Sequence, residues 1–244
     1  MDWVSTKKKV KKFLMSAWTP FAAIPIALGI GAIVLLISGY DPVQAYTAMW
    51  QGAFKDRTAI TEVLIKATPL IFIGAGLAIA FRCSIWNIGA EGQFYAGAVA
   101  ATAIGIYLGD LPRFLLVPLV LIGGASSGAI WGMLAAFMKN RFGANEVVTT
   151  IMLNYIAIFI TGWLVTGPMI ETEGLFAQTA KISQNAWLWR FLPPTRLHTG
   201  FVLALVVSVV LYIIIFKTSL GYTIRAVGIN PEAARYAGIK YQCR

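Results

Sequence analysis

Six stretches of this chain contain no charged residue and are too apolar to face water. They are Pro20–Ser38, Ala67–Phe81, Phe94–Gly109, Phe114–Met138, Val147–Val165 and Gly200–Phe216. A bilayer core about 30 Å thick is crossed by about 20 helical residues. Helices satisfy their own backbone polar groups where no water can do so. The second and third stretches are short. They flank a polar, glycine-bearing break from Arg82 to Gln93, so they read as tilted, re-entrant or broken. The predicted fold class is an all-α polytopic membrane protein, with a transmembrane domain over residues 1–216.

Composition agrees. Of 244 residues, 58% are hydrophobic and 12% charged, against about 25% charged in an average soluble domain. The 23 glycines suit membrane helices that pack backbone to backbone. The net charge of +10 is explained by topology, because the charges fall between the apolar stretches. With the N-terminus inside, the inner flanks hold thirteen of the twenty basic residues and four of the ten acids. That asymmetry predicts both termini in the cytoplasm. Lys7, Lys8, Lys9, Lys11 and Lys12 then anchor a retained first helix, since no convincing small-residue cleavage site follows them. No helix-turn-helix, RNA-recognition or zinc pattern appears, so nucleic acid is not an expected partner.

Little material for catalysis is present. Cys83 and Cys243 lack metal-ligand spacing and fall on the reducing side. His198 is the single histidine and belongs to the outer loop Thr166–Thr199, with the interface tryptophans Trp187 and Trp189. No paired acids or nucleophile–base pair stand in the apolar stretches, which argues against an intramembrane enzyme. No cofactor is expected. The phosphate-cradling GxxxxGK[ST] loop is absent, so any ATP that drives this protein is bound by a partner ATPase.

Three segments carry the candidate functional residues. In Cys83–Phe94, Asn87, Glu91 and Gln93 lie beside an apolar stretch. Polar groups at membrane depth face a cavity or a partner. Two readings fit: a gate in a pathway, or a helix capped by Asn87 with Glu91 in its first turn. In Gly143–Tyr155, Asn145 can cap the fifth stretch, with Glu146 beside it. Thr149, Thr150 and Asn154 form a polar stripe that either lines a path or bonds between helices. Asn154 lies deepest and is the better pathway candidate.

The third segment is Lys217–Lys240, where the chain leaves the membrane. Asn230 can cap a short helix, Pro231 suits its first position, and Glu232 sits at the positive end of its dipole. Gly238 falls just past the end, where a left-handed backbone is often needed. Such a helix, flat on the membrane face, could dock a soluble motor. It could equally be a polar loop.

Together, FRCSIWNIGAEGQFYAGAVAA, NEVVTTIMLNYIA and TSLGYTIRAVGINPEAARYAGI resemble a bacterial ABC importer permease. The branch is that of ribose, simple-sugar and nucleoside permeases, related to the branched-chain amino acid permeases. The first two motifs are most similar to the nucleoside and basic-membrane-protein-linked subgroup. The resemblance runs from about Lys7 to Lys240. It implies a type II importer helical bundle whose cytoplasmic EAA-like segment, residues 217–240, docks into an ATPase through Gly228, Asn230, Pro231, Glu232, Ala233, Ala234, Arg235 and Gly238. It implies two ABC ATPase subunits, a second permease subunit in a homo- or heterodimer, and an extracytoplasmic substrate-binding protein or lipoprotein. The setting implied is a bacterial inner membrane, and the cargo a nucleoside or simple sugar. The alternative is an ATP-independent channel or secondary carrier. Residues 241–244 do not resemble the family, whose members commonly continue through further spans, so the chain reads as truncated.

Overall fold

The computed structural model describes residues 22–171 and 176–239. The basic run Lys7–Lys12, Pro20, Lys240 and the tail 241–244 lie outside the described residues. The helices are α1 (Ala22–Ile37), α2 (Pro42–Phe54), α3 (Arg57–Arg82), α4 (Ala90–Tyr107), α5 (Arg113–Phe142), α6 (Glu146–Thr166), α7 (Gly200–Lys217), α8 (Ser219–Ile229) and α9 (Pro231–Tyr236). A 3-10 turn, Gln184–Ala186, precedes α7. Among the described residues, α3, α5, α6 and α7 are long and apolar enough to cross a membrane, and α1 is a shorter apolar helix. Large apolar side chains point outward along them, among them Phe159 at 73% exposed and Val209 at 58%. In water such a surface would aggregate; in lipid it is solvated.

The chain divides into two compact units, Met1–Val63 and Leu64–Arg244. In the first, the chain turns at Gly39, which has a φ of +82°. Asp41 then caps α2 by accepting from Val43 N at 2.9 Å, with Pro42 in the first turn. The Tyr46 hydroxyl donates to Leu28 O at 2.6 Å and ties α2 to α1. Hydropathy does not mark α2, because its polar residues interrupt the apolar run without lowering helix propensity. The same effect corrects the short second stretch. The helix there is continuous from Arg57 to Arg82, past Pro69, and the break follows it. Arg57, Glu62 and Lys66 hide its first turns from a hydropathy reading.

In the second unit, α4 packs chiefly against α5 and α6. The α4–α5 seam is built from small residues. A Cβ on Gly97 would lie 2.9 Å from Gly124 O, and one on Gly128 would lie 3.0 Å from Gln93 O. Gly124, Gly128 and Gly132 repeat every four residues on α5, the spacing that lets membrane helices touch through their backbones. The Ser127 hydroxyl closes the seam by donating to Ala96 O at 3.0 Å. This close packing holds α4, which is not among the four described helices long and apolar enough to cross a membrane.

The α5–α6 corner turns at Gly143, with φ of +68°. Asn145 caps α6 as expected, accepting from Val147 N at 2.9 Å and Val148 N at 3.3 Å. An ion pair of 2.9 Å between Lys139 and Glu146 spans the corner. At the other end of α4, the segment before α7 satisfies one carbonyl of the helix's last turn, Gly105 O, and two carbonyls of the loop that follows it. Ser183 N donates to Gly105 O at 3.1 Å, Ser183 Oγ to Gly109 O at 2.9 Å, and Asn185 Nδ2 to Leu111 O at 3.2 Å.

Candidate functional site

The α3–α4 break is a tightly bonded turn. Ser84 N donates to Phe81 O at 3.1 Å and Ile85 N to Ala80 O at 3.0 Å, the paired bonds that close a helix through a left-handed residue. That residue is Ser84, at φ +56°. The chain then runs to Gly89, which stands at the start of α4 without a side-chain cap. The expected cap by Asn87 is corrected. Its Oδ1 accepts from Gly89 N at 2.8 Å, inside the turn, because the chain enters α4 two residues after Asn87 and not at it.

Asn154 and Thr150 of α6 hold this entry. Asn154 Oδ1 accepts from Gly92 N at 2.8 Å, and its Nδ2 donates to Ile88 O at 2.8 Å. Thr150 Oγ1 accepts from Ile88 N at 3.3 Å. Asn154 is 8% exposed. The deepest member of the polar stripe is thus engaged with backbone between helices. Beside it, the Trp131 indole N–H is buried with no hydrogen-bond partner among the described residues. A Cβ on Gly92 would lie 3.0 Å from that nitrogen and from the Asn154 backbone, so only glycine fits there.

Two cavities meet in front of the break. The first, of 570 Å³, is walled by Thr68, Phe72 and Leu77 of α3, by Phe94 and Gly97 of α4 and by Gly124 of α5, with other small and aliphatic residues. Among the described residues no ionisable side chain lines it. The second, of 410 Å³, is lined by the Lys139–Glu146 pair, Asn140 and Thr150 among others. Asn87, Gln93 and Gly128 line both. Of the six pathway candidates, the structure therefore brings Asn87, Gln93 and Glu146 to the cavities. Asn154 stands behind them, Asn145 is a cap, and Glu91 is an exposed first-turn residue of α4. Sequence reasoning does not single out Lys139 or Phe72. Lys139 near Glu146 is the one legible signal, at a separation of seven residues.

The C-terminal segment forms two helices, not one. Asn230 caps α9 by accepting from Ala233 N at 3.0 Å, Pro231 begins it and Glu232 lies in its first turn. Gly238 follows at φ +82°. Glu232, Ala233 and Arg235 are exposed, flanked by Ile229 at 86% and Tyr236 at 94%, while Ala234 is buried. Gly228 instead sits in α8 against the end of α3, where a Cβ would collide with the Arg82 carbonyl.

Residues 59–242 match the family described as "Branched-chain amino acid transport system / permease component". The chain belongs to that family. Its relatives include the guanosine ABC transporter permease protein NupP of Bacillus subtilis, 36% identical over 93% of this chain and 66% of NupP. The nucleoside ABC transporter permease protein NupB of Lactococcus lactis subsp. cremoris is 35% identical over 95% of this chain and 65% of NupB. The glucose ABC transporter permease protein TsgB13 of Haloferax volcanii is 33% identical over 91% of this chain and 60% of TsgB13. The chain spans about two thirds of the length of these curated relatives. No solved structure matches it. The family and the apolar helices together make this an all-α, multi-pass membrane protein, and the resemblance read from the three motifs holds.

The segment on the far side of α4 carries the outer-loop residues singled out from the sequence. Trp187 is 37% exposed, with the Arg190 guanidinium 4.5 Å from its ring centre. His198 Nδ1 accepts from Gly200 N at 3.1 Å, helping to start α7. Partial burial, and then the neighbouring Arg190 charge, hold the His198 imidazole below its ordinary pKa.

Proposed function

We propose that this chain is a permease subunit of an ATP-driven importer, passing a nucleoside or simple sugar inward by alternating access. The observation that carries the reading is the pair of cavities joined at Asn87 and Gln93, in a chain that also presents a capped, exposed α9. Two amides at the junction offer donors and acceptors to hydroxyls or base edges, and Phe72 and Phe94 offer faces for stacking. An amino acid would bring a carboxylate and an ammonium that the first cavity leaves unpaired, at a high desolvation cost. The cargo favoured is therefore neutral, in spite of the family's description. The names of the nucleoside and glucose permeases among the relatives support the same choice.

Coupling is proposed to run through α9. Two ABC ATPase subunits grip its exposed Glu232, Ala233 and Arg235, with Pro231 and Asn230 fixing its start and Gly238 its end. A second permease subunit completes the membrane part, and an extracytoplasmic binding protein or lipoprotein delivers cargo. Both termini are cytoplasmic. The test is uptake of labelled guanosine, glucose and valine by the complete transporter in vesicles. Uptake of a neutral cargo should stop on ATP depletion and survive collapse of the proton gradient. Uptake that instead needs the gradient and ignores ATP would replace this reading with a secondary carrier.

A further inference from the structure

Ser84 is the one non-glycine residue with positive φ among the described residues. The position it occupies, just past a helix end, is ordinarily glycine, because a Cβ is disfavoured in the left-handed region. What serine adds there is a hydroxyl. Its Oγ donates to Gly228 O of α8 at 2.6 Å. The two backbones are in direct contact at this point, since a Cβ on Gly228 would also come within 3.1 Å of Cys83 Cα. One turn earlier on α8 there is a second tie. Arg225 donates to Ile215 O of α7. The Arg82 and Arg225 guanidiniums lie 5.0 Å and 5.6 Å from the Phe216 ring centre. So α8 is pinned between the end of α7 and the end of α3.

Neither cavity is lined by any residue of α7, α8 or α9. A displacement of α8 and α9 therefore has no route to the cavities along the chain itself. It must cross to the α3–α4 break, and the crossing lies three residues before Asn87, which lines both cavities. Asn87 N donates to Ile85 O at 3.1 Å, so the intervening turn is tight and transmits movement without slack. We propose that Ser84 is a positioning residue: its hydrogen bond to Gly228 carries movement of α8 and α9 into the break and so sets the Asn87 amide against the cargo path. This rests on the importer reading above. Strain is retained at residue 84 because glycine would relax the turn and sever the link.

Two substitutions separate the hydroxyl from the backbone. Ser84→Gly removes the donor and favours the left-handed turn. Ser84→Thr keeps the donor and, being β-branched, disfavours that turn. In the complete transporter, Ser84→Gly should melt at or above the wild-type temperature, yet move about five-fold less cargo per ATP hydrolysed. Ser84→Thr should melt lower and keep the wild-type ratio. A ratio that follows melting temperature, or a Ser84→Gly protein coupled like the wild type, overturns the proposal. A second arm does not need transport. Hydrogen exchange at residues 85–89 of the full-length protein in lipid nanodiscs should rise on Gly228→Ala, and rise less in the Ser84→Gly background. Equal responses in both backgrounds, or none, overturn the link. If the wild-type complex shows no ATP-dependent uptake, the importer reading falls, and the exchange arm still decides whether the link exists.

Discussion

Asn154 accepts from Gly92 N and donates to Ile88 O, so both ends of one side-chain amide are used on the backbone that begins α4. Truncating it leaves a buried donor and a buried acceptor unpaired, at about 1–3 kcal/mol per group in water-soluble proteins and less in membranes. Asn154→Ala should therefore lower stability by about 2 kcal/mol, read as a fall in melting temperature of the purified protein. Glu91→Gln, on an exposed first turn, should change it by about 0.5 kcal/mol or less. Equal effects would mean that Asn154 is not the clamp. His198 gives a pH signature. Its pKa is lowered in the folded protein by burial and by Arg190. The unfolded chain therefore takes up a proton near 6.5 while the folded chain resists it. Above that value both forms are neutral and the residue contributes no pH dependence. As pH falls through and below it, stability is lost, and protonation also removes the acceptor used by Gly200 N. Melting should fall from about pH 7.5 to about pH 5.5, and His198→Gln should flatten that part of the profile.

At the scale of elements, the α4–α5 seam decides whether a cavity exists at all. Gly97 and Gly124 both line the first cavity and touch each other's backbone. A Cβ on residue 97 meets a carbonyl oxygen at 2.9 Å, and backbone cannot step aside as a flexible side chain can. Gly97→Val should push the helices apart, cost about 1–3 kcal/mol and intrude on the cavity, seen together as a lower melting temperature and weaker cargo binding. On α6, a methyl added at Gly162 would meet nothing within 4 Å, so Gly162→Ala should be neutral or stabilising by up to about 1 kcal/mol. These elements differ in how far they can be read from sequence, for physical reasons. The long apolar helices α5, α6 and α7 and the caps Asn145 and Asn230 rest on local patterns, and local patterns are visible in a string of letters. Helix α2 and the first turns of α3 escape such a reading because hydropathy measures lipid compatibility, not helix formation. The clamp joins residues 62 and 66 positions apart, and the Ser84–Gly228 bond spans 144, so neither leaves a local trace. Ser84 is further disguised, since the usual signal for its conformation is glycine. The cavities arise from how α3, α4 and α5 face one another, which no single stretch encodes.

At the scale of the whole molecule, orientation is what converts these parts into a transporter. The charge asymmetry about the apolar stretches favours a cytoplasmic α9, and the Trp187–Arg190 segment then lies outside. The two ends of α4 express that division structurally. Its start is clamped by α6, and the break that leads into it is bonded to α8, while near its other end Gly105 O accepts from Ser183 N. One helix, with the break that leads into it, therefore stands between the element proposed to meet the motor and the segment proposed to meet the delivery protein. Single cysteines decide whether the assignment is right. With Cys83 and Cys243 replaced, Glu232→Cys on exposed α9 should react with a membrane-impermeant maleimide only in inside-out vesicles. Trp189→Cys, at a position 67% exposed, should react only in right-side-out cells. Labelling of residue 232 from outside would place α9 beyond the reach of ATP and of any cytoplasmic ATPase, and would leave the cavities without a motor.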